Sequence, residues 1–448
     1  MKRIVVIGGN AAGPAAAAKA KRTMPGAEVS LIEKRAVFST GTCEIPYLFS
    51  GEVPDPDHLV FFTEEGFYNS KGVTVYTKHN AEFIDTKKKT VVTRSTETGK
   101  EVFFQYDSLV LATGSSARGI PQLSPHIKNA FPVKTIEDAG RFFDSGLTLR
   151  SKKALVIGAG LVGIEMADAL CVAGADVSIA DIVSDPLPSS DQDIRRLVAE
   201  SLKSNNIRFL QISGSAQYLV RGDHFYGLKS DGQLYEFDLV FIATGAEPNV
   251  QLAHLSGLKI TDLNTIQVDN RLQTSVSGIY AAGDCIAVMD FVMNRPRYDF
   301  LATTAQKTGH ISGENAAGGR VVFPAQVRNV SMRVPGGFLL SVGISQADAA
   351  YHAIPCAVVS ATANSHVPVM PSSRTVYGKL LIHKSSKLIL GASFLGGSEI
   401  SGYGDMISLM IKGRIPAMLL EDVNYNYTPP LSPFINLLSI LGKKSKQL

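Results

Sequence analysis

The first apolar run of the chain, residues 4–7, is short and β-branched, and Gly8-Gly9-Asn10-Ala11-Ala12-Gly13 ends it abruptly. Residues 14–22 are alanine-rich and predict a helix, with Pro14 suited to a first helical turn, where its missing N–H costs nothing. A second strand follows at 29–32 and ends in Glu33. The same order returns later: a strand at 154–157, the turn Gly158-Ala159-Gly160-Leu161-Val162-Gly163, a helix through Ala173, and a strand at 176–180 that ends in Asp181. Each unit has an echo, a strand running into Ala112-Thr113-Gly114 in one case and Ala243-Thr244-Gly245 in the other. The pattern predicts a duplicated dinucleotide-binding plan, not a short-period solenoid. After Pro324 the glycine turns stop. Strands are predicted there at 337–342, 376–383 and 388–394, then a helix over 399–412, with Pro429, Pro430 and Pro433 punctuating the end.

A length of 448 residues suggests about three domains, and 45% hydrophobic against 19% charged residues supplies several cores. With 44 Lys+Arg against 40 Asp+Glu, well interspersed, the charge is too even for a main role on nucleic acid. Lys443, Lys444 and Lys446 read as a frayed, solvated tail. The longest apolar stretches, such as 434–441, fall short of the roughly 20 residues that span a bilayer, and the N-terminal run is too short for a signal-peptide core. The expectation is a soluble, cytoplasmic protein without membrane contact. Its four cysteines are far apart and form no metal-ligand spacing, so neither a zinc site nor a secreted disulfide framework is expected.

A dinucleotide fold needs glycine where the strand turns, where backbone meets pyrophosphate, and where helix packs on strand. The helix N-terminus then offers free N–H groups to the phosphates. Gly158, Gly160 and Gly163, with Leu161 and Val162 between them, fit that pattern fully; Gly8, Gly9, Ala11, Ala12 and Gly13 fit it with Asn10 at the middle-glycine place. Glu33 and Asp181, each about 20 residues on, are expected to accept hydrogen bonds from ribose hydroxyls. Ile182 and Val183 follow Asp181, so no cation stands ready for a 2′-phosphate and NADH is preferred over NADPH. Cys43 stands between a Ser/Thr/Gly turn and a predicted helix over 44–50, whose dipole is expected to lower the thiol pKa. A lone thiolate relays electrons through a partner on its sulfur: a second thiol, a sulfur atom or an oxygen. Cys171, Cys285 and Cys356 read as ordinary packing cysteines.

The two cradles, the two Ala-Thr-Gly turns, Ile279-Tyr280-Ala281-Ala282-Gly283-Asp284 and the trailing α+β part resemble the pyridine nucleotide–disulfide oxidoreductases along essentially the whole chain. The resemblance implies an α/β protein with two Rossmann-like domains and a C-terminal α+β dimerisation domain. It implies FAD on residues 1–115 and 247–323, NAD(P)H on 116–246, and a homodimer through 324–448. Lys34, Ala81, Ala112, Thr113, Gly114, Asp284 and Ala302 join Glu33 in the implied FAD set; Gly245 and Glu165 join the nicotinamide set, with Glu165 near the nicotinamide.

Disulfide reductases of the glutathione type carry a Cys-x4-Cys pair where this chain has Cys43 alone, since Leu48 cannot serve. The chain is therefore similar to the single-cysteine branch: coenzyme A–disulfide reductases, persulfide reductases, and NADH oxidases and peroxidases. Tyr427-Thr428-Pro429-Pro430-Leu431-Ser432 is similar to that branch's Tyr-x-Pro-Pro-x-Ser stretch, which makes Tyr427 and Tyr425 candidates to protonate a departing thiolate across a dimer. Ala11 stands where oxidases and peroxidases of the branch carry a histidine, and Leu161 where several relatives place an aromatic gate. Residues 366–371 lack a tyrosine that coenzyme A–handling relatives often show. The resemblance thus implies reduction of a low-molecular-weight disulfide or persulfide. The alternatives are an NADH oxidase, peroxidase or broad quinone or metal-ion reductase, and a flavin-bearing redox sensor with little turnover.

Overall fold

The computed structural model describes residues 1–448. The strand Arg3–Ile7 lies at the centre of a parallel sheet, and its apolar run is continuous because both faces are covered: Ile4, Val5, Val6 and Ile7 are all buried. The order across the sheet is Ile279–Ala281, Ser108–Leu111, Arg3–Ile7, Glu28–Ile32, Thr74–Tyr76. A second parallel sheet repeats the plan in the order Ala130–Pro132, Leu239–Ile242, Lys153–Ile157, Asp176–Asp181, Arg208–Gln211. Each sheet also has a three-stranded antiparallel companion, His79–Gln105 and Gln217–Glu236 respectively.

The edge strand Ile279–Ala281 joins the first sheet after the whole second unit, while Ala130–Pro132 joins the second sheet from the segment just before its own glycine turn. The chain therefore crosses between the sheets twice, and the crossing strands Ser115–Ala117 and Ala246–Pro248 pair antiparallel. Both follow an Ala-Thr-Gly turn directly, so the two turns meet at one crossing.

The remainder is α+β: an antiparallel sheet ordered Asn329–Val334, Gly337–Gly343, Ile389–Gly396, Thr375–His383, Cys356–Asn364, with the helices Ile400–Lys412 and Leu437–Ser445. Two of its strands, Asn329–Val334 and Cys356–Asn364, were not expected from the pattern. The reading of a frayed basic tail is corrected. Leu437, Leu438 and Leu441 are fully buried, Lys444 Nζ donates to the Ser360 carbonyl at 2.7 Å, and Lys446 pairs with Glu421 at 2.7 Å. The lysines line the outside of a docked helix, whose apolar side was enough to hold it.

One helix contact prepares the site. Ala12–Thr23 packs backbone to backbone on Ala302–Ala316; a Cβ at Gly309 would stand 2.3 Å from the Ala12 carbonyl oxygen. No helix is long and apolar enough to cross a membrane.

Candidate dinucleotide and thiol site

The first turn closes on itself. Gly8 adopts φ +110°, and a Cβ at Gly13 would fall 1.7 Å from the Gly8 carbonyl oxygen, so helix and strand meet only because neither residue has a side chain. Glu33, 5% exposed at the end of the neighbouring strand, accepts the Gly9 N–H at 2.6 Å through Oε2. Its other oxygen takes the backbone N–H and the Nε of Arg35, both at 3.0 Å. Asn10 Oδ1 accepts from the Thr40 N–H and hydroxyl at 3.2 and 2.8 Å, which ties the turn to the segment that leads to Cys43.

The second turn has the same skeleton with more room. Asp181 Oδ2 accepts the Ala159 N–H at 2.7 Å, but a Cβ at Gly160 would meet nothing within 4 Å. Three helices start at these sites, Ala12–Thr23, Leu161–Val172 and Ala302–Ala316, and none has a side-chain cap. Thr63, Thr135 and Ser345 cap three other helices, whereas Gln192–Ser204 and Ile400–Lys412 also start without a side-chain cap. Uncapped first-turn N–H groups need an acceptor, and phosphate oxygens are suited to that place.

Around the crossing, Lys134 Nζ donates to Ser115 Oγ, which donates to Asp284 Oδ2, each at 2.8 Å. Tyr298 reaches into the same neighbourhood, where Asp284 and Cys285 act on its phenol, and its buried hydroxyl has no hydrogen-bond partner. That orphan donor and the open space at Gly160 fit bound dinucleotides: the residues present suit FAD at the first turn and a nicotinamide dinucleotide at the second.

Cys43 is exposed at this junction. Desolvation pushes its thiol up, and the carboxylates of Glu44, Glu165 and Asp284 add to the rise; Lys134 is the cation that opposes them. The expected lowering by a helix dipole is therefore corrected. The helix behind it, Ile45–Phe49, is only five residues long with Glu44 at its N-cap, so its field is weaker than the surrounding negative charge. The other cysteines are engaged: Cys285 Sγ donates to the Ala282 carbonyl, Cys171 Sγ to the Asn205 carbonyl, and Cys356 lies in a strand pair with His383.

Most of the anticipated residues converge here. Ala112 is buried and its carbonyl lies over Gly8; the Thr113 hydroxyl donates to the Asn249 carbonyl at 2.7 Å; Gly114 and Gly245 both have positive φ at the crossing. Ala81 lies in the strand His79–Asp85, whose first N–H donates to the Glu33 carbonyl. Ala11 is the N-cap of the first helix, and Ala302 is exposed at the start of its own. Leu161 and Val162 are half-buried in the first turn of the second helix. Lys34 points to solvent, and its neighbour Arg35 makes the contact to Glu33. Tyr425 turns inward: its hydroxyl donates to the Leu420 carbonyl at 2.8 Å, and burial pushes its phenol up. Tyr427 is 47% exposed. Sequence reasoning missed Arg35, Lys134, Tyr298 and Arg333, none of which lies in a glycine motif.

The sequence pattern of the pyridine nucleotide-disulphide oxidoreductase family matches residues 2–309. The chain belongs to this family. It is an FAD-dependent NAD(P)H oxidoreductase. This oxidoreductase is 28% identical over 442 residues to an NADH oxidase of Methanocaldococcus jannaschii, covering 98% of each chain. It is 27% identical over 448 residues to the NAD(P)H coenzyme A polysulfide/persulfide reductase of Pyrococcus horikoshii, covering 99% of this chain and 98% of that one. Among solved structures, the NAD-dependent persulfide reductase of A. fulgidus superposes with a TM-score of 0.92 at 28% identity, covering 99% of this chain and 83% of that one.

Proposed function

We propose that this oxidoreductase uses NADH to reduce a low-molecular-weight disulfide or persulfide, with Cys43 as its one redox cysteine. The observation that carries the reading is the position of Cys43: exposed at the junction, under the influence of Lys134, Glu165 and Asp284, while Cys285 beside Asp284 is fully buried and Cys171 and Cys356 lie half-buried elsewhere. The relatives named as persulfide and polysulfide reductases support the same substrate class.

FAD, held by the first turn, Glu33 and the Asp284 cluster, would supply two-electron exchange between nicotinamide and sulfur. Ala112, Thr113, Gly114, Ala81 and Ala302 border that site. Gly158, Gly160, Gly163, Asp181 and Gly245 would hold NADH, with Glu165 beside the nicotinamide. Asp181 keeps its NADH preference because Ile182 follows it and the nearby Arg195 is paired with Asp185 at 2.5 Å. Cys43 thiolate attacks one sulfur of R–S–S–R, forms a mixed disulfide and releases RS⁻, which takes a proton. Two electrons then cleave the mixed disulfide, returning Cys43 thiolate and a second thiolate that is protonated in turn. Tyr427, contributed by a second copy, is the proton donor; Tyr425 holds that segment in place through Leu420.

A homodimer is supported by an exposed apolar group on the third unit: Leu409, Leu431, Phe434 and Ile435 are each at least 60% exposed. Cys43→Ser tests the reading. It should leave flavin reduction by NADH intact and abolish disulfide and persulfide turnover. Retained turnover, or oxygen consumption faster than disulfide reduction in the unmodified enzyme, would reject it in favour of an oxidase.

A further inference from the structure

Arg333 lies on Asn329–Val334, a strand that no motif marks. Its backbone N–H donates to Glu165 Oε1 at 2.9 Å. Its Nε stands 2.9 Å from Asp168 Oδ2, another guanidinium nitrogen pairs with Glu52, and its plane sits 5.8 Å from the Tyr47 ring centre. Glu165 and Asp168 are neighbours one turn apart on Leu161–Val172. Tyr47 and Glu52 belong to the helix Ile45–Phe49 and the turn after it, immediately behind Cys43. One residue of the third unit therefore holds together the second cradle's helix and the cysteine segment.

Three carboxylates meet at this seam with a single arginine. A guanidinium presents its donors in a fixed fork, so it can hold Asp168 and Glu52 at once, which a point charge cannot do with the same geometry. The side chain thus fixes the strand, and the strand's own amide is left to meet Glu165.

We propose that Arg333 is a positioning residue for hydride transfer: by clamping Asp168 and Glu52 it sets the Glu165 carboxylate, and with it the nicotinamide side of the site, in register with the Cys43 segment. This rests on the placement of Glu165 beside the nicotinamide given above. The ionisable groups facing Glu165 are Arg333 from the strand, Asp168 from its own helix, and Tyr47 and Cys43 from the cysteine segment. Burial pushes the Glu165 carboxyl up; the Arg333 backbone N–H, which any residue at this position except proline keeps, and then its guanidinium pull it down, and Asp168 adds to the rise. Without the guanidinium, Glu165 keeps its proton to higher pH.

The test is rapid-mixing reduction of the FAD-loaded enzyme by NADH, for Arg333→Gln, Arg333→Lys and Glu165→Gln. Arg333→Gln should slow flavin reduction roughly tenfold at saturating NADH, leave the NADH Kd within about twofold, and move the acid limb of the pH profile upward. Arg333→Lys should bring the acid limb back while recovering only part of the rate. A slow Arg333→Gln enzyme with an unmoved acid limb would overturn the proposal, because a loosened seam alone would produce it. So would an unchanged Arg333→Gln rate beside a slow Glu165→Gln, which leaves the placement of Glu165 standing. An unchanged Glu165→Gln rate overturns that placement and the proposal with it.

Discussion

The two glycine turns share a skeleton and differ in how tightly they are braced. At the first, Glu33 is almost fully buried, bonded to Gly9 on one oxygen and to Arg35 on the other, and Asn10 ties the turn to Thr40. At the second, Asp181 makes one short bond to Ala159 and a longer one to Val183, at 3.4 Å, and the space over Gly160 is open. A pocket whose polar groups are already fixed loses little freedom on binding and holds its ligand long; an open, singly braced one exchanges it. Under the proposed assignment of flavin to the first turn and nicotinamide to the second, this is the contrast that a resident and a passing ligand require.

The sharpest challenge to this contrast is a pair of glycine substitutions. Gly13→Ala drives a Cβ into the Gly8 carbonyl and should cost more than about 3 kcal/mol, giving little folded, yellow protein. Gly160→Ala places its Cβ in open space and should leave thermal unfolding unchanged. It should instead raise the KM for NADH about tenfold, since a methyl group would occupy the approach to pyrophosphate. Equal losses of stability in the two variants would contradict the difference in packing.

Asp181→Ala should raise the KM for NADH by about tenfold with kcat little changed, and narrow the gap between NADH and NADPH. Flavin content measured by absorbance should stay at one per chain. Loss of flavin in this variant would show that the two turns are not independent.

The smallest effect concerns charge at the sulfur. Because the Cys43 thiol is raised, its thiolate builds up only above the ordinary thiol range and is protonated below it. Glu44→Gln removes one carboxylate that raises the thiol, so the pH profile of Cys43 alkylation should shift to lower pH. Lys134→Met removes the opposing cation and should shift it the other way. Identical profiles would mean that desolvation alone governs the thiol.

Much of this was readable along the chain. Strict local geometry leaves strict local marks: a strand that turns against a helix demands Gly8 and Gly13, and an acid that bonds back to the turn stands at the end of the next strand. Cys43 was readable for the same reason, since the residues around it form one continuous segment. The helix dipole was overestimated there because desolvation comes first in raising the thiol, the adjacent Glu44 adds to it, and Glu165 and Asp284, which add further, are more than 100 residues away in sequence. The C-terminal lysines misled in the opposite sense, because three leucines on the hidden side of their helix carry the docking.

Periodicity and glycine spacing alone mark two strand–turn–helix–strand units, two glycine-turn helix starts and one cysteine beside a Ser/Thr/Gly turn, because each lies within a segment of about thirty residues. Folding in three dimensions settles the rest: the edge strand Ile279–Ala281, the Lys134–Ser115–Asp284 chain, the orphan Tyr298 hydroxyl and the Arg333 seam. These depend on charge and hydrogen bonding between segments distant along the chain, and a lone lysine, tyrosine or arginine has no fixed spacing from its partner to reveal it.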